Sequence, residues 1–171
     1  MSPSSDFIDM LFERGPVRER IVPFNCGHLI PKDNCTAVIL SSGPTGMSLD
    51  LSYATRLVPS IVAELGQSLI NLATITPDGV VCFFPSYSYM EDLIDVWSTS
   101  KVMEALKARK HQIFVENLNT DAESLIDSYK RAVSKNNGAI LFGVMGGRLS
   151  EGINFADNLA RLVVIIGLPF P

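Results

Sequence analysis

The chain has 171 residues, of which 47% are hydrophobic and 19% are charged, and this length predicts one globular domain with a substantial core. The formal net charge of -4 argues against a protein that coats nucleic acid non-specifically, because such proteins carry a basic excess. Three cysteines without a C-x-x-C pair argue against a disulfide framework or a zinc site, and no apolar run reaches the roughly 18 residues of a membrane span. The apolar excess is typical either of a surface that another domain covers or of a fully buried parallel sheet.

The first half of the chain contains one strongly predicted helix. A short helix is predicted within residues 6–15, and residues 19–31 form a short strand or an extended passage broken by prolines. "TAVILSS" (36–42) is predicted to be a buried strand, and a turn and loop follow at 43–52. From Tyr53 to about Ala73, apolar residues recur every three or four positions, which predicts an amphipathic helix.

The second half alternates strands with helices. Helices are predicted at about 88–108 and at 120–135, where acidic residues come early and basic residues late, as the helix dipole favours. Short apolar runs predict four more strands: "VVCFF" (80–84), "QIFVE" (112–116), "AILFGV" (139–144) and "LVVIIGL" (162–168). This order predicts an α/β fold, a mainly parallel sheet with helices on both faces. Ligands of such sheets bind at the carboxyl ends of the strands.

Two glycine-containing segments resemble nucleotide-binding loops without meeting their requirements. "SSGPTGMS" (41–48) follows a predicted strand, but Met47 stands where a phosphate-binding loop needs lysine. "GVMGG" (143–147) lacks the G-x-G-x-x-G spacing of a dinucleotide site. A turn and a close approach of the backbone are the interpretations we adopt for these glycines.

Two polar loops follow the predicted strands at the carboxyl edge. In "FFPSY" (83–87), core aromatics with an N-cap serine remain as good an interpretation as a hydroxyl and a ring that meet a phosphate or a base. In "GGRLSEGINF" (146–155), Arg148 can neutralise a phosphate, and Ser150 and nearby amides can donate to one. Glu151 and Asp157 are suited instead to hold a cation, a sugar hydroxyl or a partner arginine. Chemistry alone predicts an anion-binding loop here.

Several of these strings resemble one family. "GGRLSEGINFADNLARLVVIIGLPFP" (146–171) resembles motif V and its following strand in the XPD-like superfamily 2 iron–sulfur DNA helicases, and "GVVCFFPSYSYMEDLIDVW" (79–97) resembles their motif IV. "VILSSGPTGMSLDLSYATR" (38–56) is similar to the start of their second RecA-like domain. "CGHLIP" and "GLPFP" are typical of the chromosome-loss subgroup, which is linked to sister-chromatid cohesion and DNA repair. The resemblance covers nearly the whole chain.

The resemblance implies a RecA-like fold and a set of site residues. Residues 1–52 would form an entry segment, and 53–171 a partial helicase C-terminal core with motifs IV and V. Residues implied to contact single-stranded DNA are Phe84, Ser86, Tyr87, Gly147, Arg148 and Ser150. Residues implied to couple the loop to nucleotide state are Glu151, Gly152, Asn154 and Asp157. Arg148 stands where lysine is commoner in the family, and Asn154 where several relatives have aspartate.

The same resemblance implies a chain that works only within a complete 5′-to-3′ motor in the nucleus. The string contains no P-loop, no D-E-A-H and no motif VI arginines, so we expect no ATP hydrolysis by this chain alone and no catalytic residue in it. ATP and Mg²⁺ would bind only in the complete enzyme, and the iron–sulfur cluster would lie in another part of it. Its partners would be single-stranded DNA and the first RecA-like domain of the same helicase. The alternative is a non-catalytic RecA-like module that binds a protein or an anion.

Overall fold

A computed structural model describes residues 8, 10, 12, 20–22, 24, 31–119, 121–135, 138–150 and 155–168. The chain divides into two compact units, Met1–Ile39 and Leu40–Pro171. In the first unit, residues 8, 10 and 12 are helical, as the sequence predicts, and Lys32–Asn34 form a short 3-10 helix. Most of the predicted extended passage at 19–31 lies outside the described residues.

The second unit carries the sheet. Its described residues form four α-helices and four strands, in the order α1 (Pro59–Ile75), β1 (Val80–Phe84), α2 (Tyr87–Thr99), α3 (Val102–Lys110), β2 (Gln112–Val115), α4 (Ala122–Lys135), β3 (Ala139–Val144) and β4 (Leu162–Ile165). The strands lie in the order β2-β3-β1-β4 and every pair is parallel. The predicted α/β fold is therefore confirmed. No helix in the described part of the chain is both long and apolar enough to cross a membrane.

Helices cover both faces of this sheet, as predicted. Val80, Cys82 and Phe84 alternate along β1 and pack with residues of α1, α2 and α3, among them Trp97. The intervening Val81 packs on the opposite face against α4. Successive side chains of a strand point to opposite faces, so one five-residue strand contributes to both cores. β1 and β3 are buried almost throughout because of this double cover.

Two predicted helices have different bounds in the structure. α1 begins at Pro59 rather than Tyr53, because the residue before a proline avoids helical dihedrals and Val58 is extended (φ -62°, ψ 129°). The helix predicted at 88–108 divides into α2 and α3 at Lys101, which has a left-handed φ of 65°. At the end of α2, the hydroxyls of Thr99 and Ser100 donate to the Val96 carbonyl, a local bond that competes with helix continuation.

The prediction of a buried strand at 36–42 is wrong. Val38, Ile39 and Leu40 are 71%, 96% and 50% exposed, and the segment's only described bridge joins Ser42 to Ser48 across a turn. An apolar, β-branched run has the composition of a strand, but a strand also needs a neighbour to complete its hydrogen bonds. None of the described strands pairs with this run.

Candidate nucleic-acid interface

The carboxyl edge of the sheet brings polar residues from three elements together. Glu116 directly follows β2, and its N–H donates to the Phe142 carbonyl of β3 at 2.9 Å. Met145 directly follows β3, and its N–H donates to the Phe84 carbonyl of β1 at 2.9 Å. These bonds continue the ladders one residue beyond the strands. The loops that leave this edge therefore start from fixed positions.

Glu116 is the centre of this edge. Glu116 is only 3% exposed. Its Oε1 accepts hydrogen bonds from the Tyr87 hydroxyl at 2.8 Å and from the Leu149 N–H at 3.3 Å. Its Oε2 accepts from the Val144 N–H at 2.9 Å. Three donors thus satisfy one buried carboxylate, which is what burial of a charge requires. The carboxylate joins β2, α2 and the loop after β3.

Two glycines leave room for this carboxylate. A Cβ on Gly147 would lie 3.0 Å from both the Glu116 Oε1 and the Tyr87 hydroxyl, and 2.9 Å from the Val144 carbonyl. A Cβ on Gly143 would lie 3.2 Å from the Glu116 Oε2. Gly143 and Gly147 therefore serve close approach of the backbone, as the sequence indicated, and the side chain they approach is Glu116.

The loop at 145–150 presents Arg148 to solvent. The Gly147 N–H donates to the Val144 carbonyl at 2.9 Å, and the N–H and hydroxyl of Ser150 both donate to the Gly147 carbonyl, at 3.1 and 2.9 Å. Leu149 is completely buried in the core cluster of the α4 face. This apolar anchor and these turns fix the backbone on both sides of Arg148, whose own side chain is exposed.

The first turn of α2 supplies Ser86 and Tyr87, both partly exposed. Ser86 is the N-cap, and its hydroxyl oxygen accepts from the Tyr89 N–H at 3.3 Å. Burial raises the pKa of Tyr87, and its bond to Glu116 and that carboxylate's charge raise it further. The charge and the backbone N–H of Arg148 act on the pKa of Tyr87 in the opposite direction. The Tyr87 hydroxyl also lies next to the loop that carries Arg148, since a Cβ on Gly147 would lie 3.0 Å from it.

Two residues of the predicted site are placed elsewhere. Phe84 is 0% exposed, with its ring centroid 5.3 Å from that of Phe142, so its side chain belongs to the core and is removed from the predicted DNA contacts. Asp157 is exposed, but it opens a 3-10 turn, Asp157–Ala160, that precedes β4. This turn is bonded to Gly79 before β1, through Gly79 N–H to the Asn158 carbonyl at 2.9 Å. Asp157 therefore lies at the amino edge, opposite Arg148.

The remaining predicted residues fall into two groups. Ser86, Tyr87, Gly147, Arg148 and Ser150 lie at one edge, as the two-loop prediction requires. Glu151, Gly152 and Asn154 lie outside the described residues.

Sequence reasoning missed Glu116, which it treated only as the last letter of a strand. The available signal was a carboxylate at the carboxyl end of a predicted strand, on the edge where both polar loops begin.

A resident metal ion does not fit this part of the chain. The described residues include no group of three or more histidine, cysteine, aspartate or glutamate side chains that could hold one. Of the cysteines within them, Cys35 is exposed and Cys82 is buried. Burial raises the pKa of the Cys82 thiol far above its ordinary value, so it is an inert core residue.

Comparison with known proteins identifies a matching family and similar chains. Residues 69–171 match the family described as "Helicase C-terminal domain". The whole chain is similar to "ATP-dependent DNA helicase DDX11" of Danio rerio, at 39% identity over 180 residues and 20% of that protein. It is also similar to "ATP-dependent DNA helicase chl1" of Schizosaccharomyces pombe, at 38% identity over 173 residues and 20% of that protein. A solved structure titled "XPD_Helicase" matches with a TM-score of 0.47 and 27% identity over 70% of this chain and 19% of that one.

The chain spans about a fifth of the length of the curated relatives it matches. The family match covers α1 from its second half onward and every described element after it, including both polar loops. On this match, the chain belongs to the helicase C-terminal domain family.

Proposed function

We propose that this chain is the second motor domain of an ATP-dependent 5′-to-3′ DNA helicase and that it contacts single-stranded DNA with the carboxyl edge of its sheet. The observation that carries the proposal is the exposed Arg148 beside Tyr87, at the start of two loops that are bonded to one another through Glu116. A guanidinium can neutralise a backbone phosphate. The partly exposed ring of Tyr87 offers a surface against which a base or sugar can pack.

The same geometry supports coupling between the strand and the nucleotide state. Backbone bonds tie the loop at 145–150 to β3, and Glu116 ties it to β2 and α2. A displacement of this loop therefore moves Arg148 relative to Tyr87. We assign the nucleotide-coupling role to Glu151, Gly152 and Asn154, which follow Ser150 in the sequence, on the motif resemblance.

Hydrolysis requires groups that this chain does not offer. Phosphoryl transfer needs a phosphate-binding lysine, a magnesium ligand and arginines that neutralise the developing charge. We assign ATP, Mg²⁺ and the iron–sulfur cluster to the complete enzyme, with the first RecA-like domain as the partner that completes the ATP site. We also propose that the complete enzyme acts in the nucleus, in cohesion and repair, because "CGHLIP" and "GLPFP" resemble the wording of the chromosome-loss subgroup.

The salt dependence of binding to a fluorescent oligothymidine tests the proposal. Each phosphate contact adds about 0.7 to the slope of log K against log salt for single strands. We expect Arg148→Ala to weaken binding and to lower the magnitude of that slope by about 0.7, which corresponds to the loss of one phosphate contact. Arg109→Ala is the matched control, because Arg109 is also exposed but lies at the end of α3, just before the amino end of β2.

Three outcomes contradict the proposal. Equal slopes for Arg148→Ala and the unsubstituted chain would remove Arg148 from the DNA contact. ATP turnover by this chain alone would contradict its dependence on a partner domain. Tight binding of a protein with no DNA binding at low salt would favour the alternative, an interaction module without a motor.

A further inference from the structure

We infer that Glu116 is a positioning residue, which holds Tyr87 and the loop at 145–150 in the arrangement that contacts DNA. The inference rests on the proposed function. It concerns a residue that makes no DNA contact itself, since it is 3% exposed. Its carboxylate instead accepts from one side chain and two backbone N–H groups, which belong to both polar loops.

The negative charge of Glu116 distinguishes a positioning role from direct attraction of DNA. A carboxylate beneath a surface that receives phosphates repels them, so its direct electrostatic effect opposes DNA binding. Any favourable contribution of Glu116 must therefore come through the groups that it orients. Removing the charge without removing the side chain sets these two effects against one another, because loss of repulsion tightens binding and loss of orientation weakens it.

An ionised glutamate suits this position because both of its side-chain oxygens accept hydrogen bonds and neither donates one. Oε1 serves two donors, the Tyr87 hydroxyl and the Leu149 N–H, and Oε2 serves the Val144 N–H. A glutamine of the same size has one oxygen and one NH₂. If the glutamine oxygen takes the position of Oε1, the NH₂ group faces the Val144 N–H. Both groups are donors, so no hydrogen bond forms between them. The backbone at the start of the loop then has to shift.

Glu116→Gln is the decisive variant, measured by fluorescence anisotropy with oligothymidine and the full 171-residue chain. We expect binding about tenfold weaker, since bonds to charged groups are among the stronger ones in proteins. We also expect a lower salt slope, because Arg148 no longer meets its phosphate. Glu64→Gln is the matched control: Glu64 is 7% exposed and accepts from Thr45 rather than from the loop after β3. It removes the same charge and should not weaken binding.

A double substitution distinguishes positioning from loss of fold. If Glu116 acts through Arg148, Glu116→Gln should weaken binding far less in a background of Arg148→Ala than alone. Partial unfolding would instead lower the fraction of active protein at an unchanged slope, equally in both backgrounds. Should Glu116→Gln fail to fold, Tyr87→Phe removes one of the three donors and leaves the carboxylate. We expect that variant to bind several-fold more weakly.

Equal or tighter binding by folded Glu116→Gln, with an unchanged slope, would overturn the inference, as would unchanged binding by Tyr87→Phe. The proposed function survives either result, provided that Arg148→Ala still lowers the slope. Failure of the unsubstituted chain to bind DNA at low salt would overturn both.

Discussion

Gly147→Ala tests the packing of the site most directly. Gly147 has no left-handed φ, so the backbone accepts alanine without strain and only contacts decide the cost. The new Cβ would lie 2.9 Å from the Val144 carbonyl oxygen and 3.0 Å from both the Glu116 Oε1 and the Tyr87 hydroxyl. Ordinary contacts begin near 3.4 Å. The backbone oxygen and the bonded pair must therefore each retreat by a few tenths of an ångström.

The cost follows from these contacts. Overpacking of a well-packed region costs about 1–3 kcal/mol, and separating Tyr87 from Glu116 lengthens a 2.8 Å hydrogen bond. With a urea m-value of about 2 kcal/mol/M, this predicts a midpoint lower by roughly 0.5–1.5 M. Because the displaced atoms orient the loop, we also expect weaker binding of oligothymidine.

Urea unfolding monitored by Trp97 fluorescence measures the effect, since Trp97 is the single tryptophan and is completely buried. Gly146→Asn is the control, because Gly146 has a φ of 69° and open space where a side chain would begin. Asparagine tolerates such a φ, so we expect a cost of at most about 1 kcal/mol. If Gly147→Ala costs no more than this control and binds DNA equally well, the crowding around Glu116 is not as described.

Two further predictions concern the core on the α1–α3 face. Trp97→Phe should lower the free energy of unfolding by about 1–3 kcal/mol, because it removes the 3.1 Å bond from Nε1 to the Val62 carbonyl and leaves a void; an unchanged midpoint in far-UV circular dichroism would contradict this. Burial raises the pKa of Tyr89 to about 12, against a smaller opposing effect of Arg56. Since the folded pKa lies above the unfolded value near 10, this contribution to stability is present below pH 10 and is lost as the pH rises through 12. The urea midpoint of the unsubstituted chain should thus fall more steeply between pH 9 and 12 than that of Tyr89→Phe, and parallel curves would refute it.

The strands were predictable where composition alone dictates them. β1 and β3 begin and end where the sequence indicated, because their uninterrupted apolar runs can be stable only between two layers of helices. The run at 36–42 is equally apolar and forms no strand, since apolar content does not supply a hydrogen-bonding neighbour. The break at Lys101 was missed although the apolar spacing is interrupted there, since Val102 follows Trp97 by five residues. The side-chain bonds that end α2 come from the polar residues between them.

The predicted topology already indicates where Phe84 and Asp157 lie. β1 lies between β3 and β4 in a sheet that helices cover on both faces, and Phe84 at its end is 0% exposed. A parallel connection must also run from the carboxyl edge back to the amino edge, so a loop that starts near Arg148 ends near Asp157 at the opposite edge. Both placements follow from connectivity, whereas the sequence analysis assigned Phe84 to the DNA contacts and Asp157 to nucleotide coupling.

The sequence by itself determined the alternation of apolar strands and amphipathic helices, hence the parallel sheet, and it carried the strings that mark the helicase family. Only the tertiary structure decided that Glu116 lies under both polar loops, with partners 29 and 33 residues away along the chain. The difference has one physical reason. Periodicity and residue type act over a few neighbouring positions, whereas the contacts of a buried carboxylate depend on strand order and register, which bring distant segments within hydrogen-bonding distance.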